Sequence, residues 1–331
     1  MLVLKFGGTS VGSIENMINV KNIINNGQQK VVVLSAMSGT TNALVKVADY
    51  IKNNKPEDAL IIIDALRNTY NLTIKTLITT PELYKTVFVY VNNVFNSLEA
   101  IVNKLYDDLL YNQIVSQGEL LSTFIFSYYL QQENINAVLL PALDFMRIDK
   151  TNEPDNYYIQ QNLNRIIADT PKADIYITQG FICRDVQGNV ANLQRGGSDY
   201  TATIIGAVLK AEEVQIWTDI DGFHNNDPRF VENTTAISNL SFDESAELAY
   251  FGAKILHPQT VMPVRALDIP VRLKNTMSPE AHGTLITNQV HGDGIKAIAA
   301  KDGITAIKIK SARMLLAHGF LKKVFEIFER Y

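Results

Sequence analysis

The 331-residue chain has one cysteine, Cys183, so it can close no internal disulfide and build no cysteine-based zinc site, and it suits a reducing compartment. It has no excess of either charge: 30 Lys and Arg stand against 34 Asp and Glu, which leaves no electrostatic footprint for nucleic acid or an anionic membrane. The few basic groups should therefore matter locally. No apolar run reaches transmembrane length, and the opening Met1 to Leu4 breaks at Lys5-Phe6-Gly7-Gly8, too early for a signal peptide. A soluble, cytoplasmic protein is expected. Internal repeats and low-complexity tracts are also missing. Glycine and proline are scarce from about Glu57 to Asn112, where Leu60, Ile63, Leu66, Tyr70 and Ile74 recur at helical spacing. That stretch reads as helices packed beside a sheet.

What is present is 47% apolar residues over a length that exceeds one ordinary domain, enough for a large core. Short β-branched runs recur at Leu2 to Phe6, Val31 to Ser35, Ala137 to Leu140, Ile175 to Gln179, Val214 to Thr218 and Val271 to Lys274, separated by helical patterns. Such alternation predicts a mainly parallel sheet covered on both faces, because parallel neighbours need crossover connections. Ligands gather at the carboxyl ends of such strands, where Gly7-Gly8, Ser35 to Thr41, Gly180 and Asp219 to Gly222 fall. Cys183 lies in the strand-like Ile182-Cys183-Arg184 and reads as structural rather than nucleophilic. A boundary is expected near Asn288 to Gly294, giving a catalytic domain over 1–290 and a tail over 291–331. In the tail, Ile295 to Ala299 and Ile304 to Ile309 alternate like strands and Met314 to Phe328 reads as a helix, a ββα fragment of a module cut short or completed by another chain.

The most informative stretch is Gln194-Arg195-Gly196-Gly197-Ser198-Asp199-Tyr200-Thr201-Ala202, which opens an apolar helix ending near Leu209. Glycines let the backbone turn close to a ligand, the helix amino terminus offers unpaired N–H groups, and Arg195 adds a rigid fork for a carboxylate or phosphate. Lys5-Phe6-Gly7-Gly8-Thr9-Ser10 follows the first strand and precedes a helix starting near Ser13. With its lysine before the glycines it is no Walker A loop, yet that lysine can reach phosphates as a point charge. Ser35 to Asn42 ends the second strand and opens another helix, either as an anion site or with Thr41 or Asn42 as an ordinary N-cap. Glu119, in Gln117-Gly118-Glu119, sits in a first helical turn, where it complements the helix dipole or meets an ammonium. Trp217-Thr218-Asp219 finishes a strand; Arg229 and Lys254 follow, cations suited to phosphates or simply to solvent. His257 before Pro258 reads as a residue opening a helix.

Together these segments resemble the aspartate kinases of the amino acid kinase superfamily: KFGGTS at Lys5, the Ser-Gly-Thr-Thr-Asn loop at Ser38, GEL at Glu119, RGGSDYTA at Arg195, WTD and DPR around Asp219 and Arg229, and FGAKILHP at Phe251. They run in order over residues 1 to about 280, and the tail resembles the first half of an ACT repeat. His224 and Asn225-Asn226 stand where the family has Tyr and Thr-Thr. The resemblance implies a three-layer αβα sandwich with a mainly parallel central sheet and a partial ββα ACT-like tail. Its amino-terminal part would bind L-aspartate and its carboxyl-terminal part ATP, with Mg²⁺ carried mainly by the phosphates and no dedicated metal site. Lys5 and Asp199 would be catalytic, Asp199 orienting Lys5 or a metal-bound water. Arg195 would grip the substrate α-carboxylate, Glu119 its ammonium, and Ser35, Thr41 and Ser198 the reacting end. Lys5, Gly7 and Gly8 would meet the phosphates, with Thr218, Asp219, His224, Arg229 and Lys254 around the nucleotide. A homodimer is implied, and an amino-acid effector if the ACT region is complete.

Two other readings stay open. A sibling kinase could act on glutamate, acetylglutamate, carbamate or UMP, although the pairing of Glu119 with Arg195 suits an α-amino acid head group. A catalytically silent regulatory subunit is the other, against which Lys5 and Asp199 both stand.

Overall fold

The computed structural model describes residues 1–193, 196–253, 255–289, 292, 294–310 and 318–330. In chain order the first elements are β1 (Leu2–Phe6), α1 (Ile14–Ile24), β2 (Lys30–Leu34), α2 (Thr40–Lys52), α3 (Pro56–Leu77), α4 (Pro81–Ala100), α5 (Asp108–Val115), α6 (Gln117–Gln132) and β3 (Ala137–Leu139). There follow α7 (Asn156–Asp169), β4 (Ile175–Gln179), β5 (Ile182–Arg184), β6 (Val190–Asn192), α8 (Gly197–Leu209), β7 (Val214–Thr218), β8 (Asn239–Ser241) and α9 (Phe242–Tyr250). The last are α10 (Met262–Arg265), β9 (Val271–Asn275), β10 (Thr284–Thr287) and α11 (Phe320–Phe328). Among the described residues no helix is long and apolar enough to cross a membrane.

Eight strands form one sheet in the order β3-β4-β2-β1-β7-β9-β10-β8, and β5 with β6 makes a separate hairpin. Every junction in the large sheet is parallel except β9 with β10. The alternating side chains explain why it is buried on both faces. Leu4, Phe6, Val32, Leu34, Ile175 and Ile177 pack with helices of the first half of the chain. Val3, Val31, Val33, Tyr176, Val214 and Ile216 point the other way, into a core with Leu163, Ile205 and Val264. Helices therefore cover the two faces of a parallel sheet, as the sequence pattern requires. Cys183 lies in this second core, where burial pushes its thiol up to about 12, so it has no nucleophilic character at neutral pH.

The chain divides into two units, Met1–Ala299 and Ala300–Tyr331. The division falls later than the expected boundary because the intervening segment is tied to the first unit. Lys296 Nζ lies 2.7 Å from Glu244 Oε1 on α9, and the Ile298 N–H donates to the Asn225 carbonyl at 2.9 Å. The strands expected at Ile295 to Ala299 and Ile304 to Ile309 do not form. Their alternation is real, but a strand needs a neighbour to take its N–H and C=O groups, and no ladder partner exists among the described residues. Of the expected ββα tail, the helix is observed as Phe320–Phe328, and the start of the expected helix at Met314 lies outside the described residues.

Candidate active site

β1 is the point where the strand order reverses, with β2 on one side and β7 on the other. A crevice opens there at the carboxyl ends of the strands. The ends of β1, β2, β4 and β7, with the first turns of α2, α6 and α8, surround a cleft of about 600 Å³. Lys5, Gly7, Gly8, Ser35, Thr41, Glu119, Ser198, Asp199, Thr218 and Asp219 all line it, so residues spread over more than two hundred positions face one volume.

The start of α8 shows how the backbone shapes this cleft. Gly196 is its N-cap at φ +67°, a left-handed conformation, and a Cβ there would lie 1.9 Å from Thr260 Cγ2. No residue larger than glycine fits that turn. The first turn then presents Ser198 and Asp199, whose Oδ1 lies 2.7 Å from Lys5 Nζ. The Asp199 and Lys5 side chains are only 17% and 12% exposed, so water screens their charges little. Ser35 Oγ donates to Ser198 Oγ at 2.9 Å, which joins the end of β2 to the same helix. At the end of β4, a Cβ on Gly180 would meet Ser198 Cβ and Oγ at 2.3 Å and its Cα at 2.7 Å. Gly180→Ala should displace the first turn of α8 and lower turnover at least about tenfold, as steady-state kinetics would register. Unchanged turnover would mean that Ser198 and Asp199 need not be held where they are.

Glu119 is 3% exposed in the first turn of α6. Its Oε1 accepts the Ala36 N–H at 3.3 Å, while Oε2 has no hydrogen-bond partner among the described residues. Burial pushes its carboxyl up to about 7, opposed by backbone hydrogen bonds. A buried acid with one vacant oxygen is prepared for a cationic ligand. Across the cleft, α2 is capped by Gly39 at φ +78° with no side chain spent on the cap. Neither Thr41 nor Asn42 is the N-cap, so the ordinary capping reading does not apply. Gly8 runs close to the segment that follows β2, since a Cβ there would stand 3.1 Å from the Ala36 carbonyl.

Two sequence candidates are not brought to the cleft wall. His224 Nε2 lies 2.6 Å from Asp221 Oδ1 and Nδ1 lies 2.9 Å from Thr234 Oγ1. Arg229 is paired with Asp227 two residues earlier, at 2.6 Å, with its side chain 75% exposed. In both cases a nearby group satisfies the side chain before any ligand can. Arg195 and Lys254 lie outside the described residues. His257 caps the short 3-10 turn Pro258–Val261, its Nδ1 accepting the Gln259 N–H at 3.3 Å, as its place before proline suggests. Phe181 was not singled out from sequence, yet it lines the cleft at φ +67°, an unusual conformation for an aromatic residue. Only its place after Gly180 at a strand end could have pointed to it. Among the described residues no group of three or more His, Cys, Asp or Glu could hold a metal ion; Asp199 and Asp219 are the acids on the wall besides Glu119.

A model of the amino acid kinase family matches residues 1–275. The chain is 33% identical over 339 residues to lysine-sensitive aspartokinase 3 of Escherichia coli, covering 100% of this chain and 74% of that protein. It is 37% identical over 344 residues to chloroplastic aspartokinase 1 of Arabidopsis thaliana, covering 99% of this chain and 59% of that protein. The crystal structure of E. coli aspartokinase III in complex with aspartate and ADP is similar with a TM-score of 0.82 at 32% identity, over 100% of this chain and 74% of that one. On its sequence, its sheet and the cleft at the centre of that sheet, the chain belongs to the amino acid kinase family and, within it, to the aspartokinases.

Proposed function

We propose that the chain transfers the γ-phosphoryl group of ATP to the side-chain carboxylate of L-aspartate, giving 4-phospho-L-aspartate, the first step toward lysine, threonine and methionine. The observation that carries this reading is the Lys5–Asp199 pair on the wall of the cleft that also holds Glu119 and the Ser35–Ser198 bond. In the step, a carboxylate oxygen attacks the γ-phosphorus, the bond to the β,γ-bridging oxygen breaks, and ADP leaves. A free aspartate side chain has a pKa of about 3.9, so the nucleophile is already ionised and no general base is needed. The obstacle is repulsion between a carboxylate and a polyanion, which alignment and positive charge must overcome.

Lys5 supplies that charge from the end of β1, and Asp199 orients its ammonium. Gly7 and Gly8 let the backbone reach the phosphates, with Thr218 and Asp219 on the nucleotide side. Ser35, Thr41 and Ser198 hold the reacting end of aspartate and Glu119 takes its ammonium. Arg195, next to Gly196 in sequence, is assigned the α-carboxylate because a guanidinium fork matches it. His224, Arg229 and Lys254 are assigned to the nucleotide by family resemblance; for the first two, ATP would have to replace the partners they hold now. Mg²⁺ carried by the nucleotide would supply further neutralisation, and Asp199 and Asp219 on the cleft wall would hold a water of its shell. The homodimer rests on the family resemblance, and an amino-acid effector on a complete ACT region. Trapping the acyl phosphate with hydroxylamine tests the reaction: product is expected with aspartate and MgATP and not with glutamate. No trapped product with aspartate would end this reading.

A further inference from the structure

Behind Glu119 runs a chain of buried hydrogen bonds through residues that do not line the cleft. Gln179, 2% exposed at the end of β4, accepts the Ala142 N–H on Oε1 at 2.7 Å and donates from Nε2 to Thr123 Oγ1 at 2.8 Å. Thr123, fully buried on α6, donates in turn to the Glu119 carbonyl at 2.7 Å. A threonine bonding the carbonyl four residues back is a common helical habit. A carboxamide arriving from another strand to fill the hydroxyl's acceptor position is not. The preceding residue on the helix, Ser122, donates to the Ser35 carbonyl at 2.8 Å, so the start of α6 is tied to the end of β2 as well as to β4.

We propose that Thr123 is a positioning residue for the acceptor substrate: through Gln179 on one side and the Glu119 carbonyl on the other, it fixes the first turn of α6 so that the vacant oxygen of Glu119 faces the cleft. This rests on the reading of the cleft as the aspartate site. The physical reason is that a fully satisfied buried network has one low-energy arrangement. Valine at 123 keeps the shape but leaves the Gln179 amide without its acceptor, and the turn must shift to satisfy it. Phe181, two residues after Gln179 and on the cleft wall, shares the same anchor.

The test is steady-state kinetics on the full chain carrying Thr123→Val, Thr123→Ser or Gln179→Met, with aspartate and ATP varied separately. Thr123→Val should raise the aspartate KM about 3- to 10-fold and leave the ATP KM within about twofold, as expected for one buried hydrogen bond acting on one substrate. Thr123→Ser keeps the hydroxyl and should stay within about twofold of the parent; Gln179→Met should follow the valine variant. An unchanged aspartate KM in Thr123→Val, an equal rise in both KM values, or a serine variant no better than valine would overturn the assignment. If Thr123→Val does not fold, Gln179→Met against the parent makes the same comparison. A parent chain that phosphorylates no aspartate would instead remove the functional reading itself.

Discussion

Replacing Lys5 by alanine should lower kcat about 10²- to 10³-fold while the KM for ATP changes far less. Lys5 is the penultimate residue of a central strand whose neighbours fix its backbone, and its ammonium is held by Asp199 at 2.7 Å in a largely water-excluded wall. A charge placed in advance, under weak screening, contributes most when negative charge is moving between the two substrates, and so belongs to the transition state. Arginine should rescue poorly, because a broad guanidinium fork does not reproduce the compact point charge that Asp199 holds at 2.7 Å. Single-turnover and steady-state rates at saturating ATP separate the cases. A loss confined to ATP affinity would place Lys5 in ground-state binding alone.

Glu119→Gln should have two effects of opposite sign. Because burial raises the folded-state pKa from 4.5 to about 7, the native state holds its proton more tightly than the unfolded chain does. The contribution of this group to stability is therefore full below about pH 4.5 and is lost as pH rises through 7, at a cost of about 3 kcal/mol in the empty protein. Glutamine carries no charge to desolvate, so the substrate-free variant should be more stable than the parent above pH 7, by up to about that amount, and no more stable in acid. Activity should move the other way. Without an anion for the ammonium, the aspartate KM should rise about 10- to 100-fold, and the rise in parental KM as pH falls below 7 should disappear from the variant. Denaturant melts at pH 5 and pH 8, with KM measured across the same range, decide it. Equal stability at both values and an unaltered aspartate KM would show that Glu119 is neither strained nor used.

The central strands were legible because β-branched runs bounded by glycine or polar residues have few other solutions; Ile175–Gln179 and Val214–Thr218 occur as read. The edge was not: β8 and β10 are Asn-Leu-Ser and Thr-Leu-Ile-Thr, too short and too polar to stand out from loops. The tail failed in the opposite sense, since alternation at Ile304 to Ile309 records only one face of a strand and says nothing of its neighbour. Glycine pairs located the start of α8, whereas at α2 the sequence left an anion site and a cap by Thr41 or Asn42 open, and left-handed Gly39 serves as the cap. For His224 and Arg229, proximity in sequence to Asp219 could not foretell that Asp221 and Asp227 would engage them first. Gln179 and Phe181 gave no signal because their roles depend on which element stands behind or beside them.

The most direct test is a crystal structure of this chain with aspartate and a non-transferable ATP analogue. The aspartate ammonium should contact Glu119 and its side-chain carboxylate should lie beside Ser35 and Ser198, in line with a γ-phosphate held at Gly7, Gly8 and Lys5. Aspartate bound outside this cleft, or a γ-phosphate on the far side of the sheet from Lys5, would contradict the convergence on which the whole reading depends.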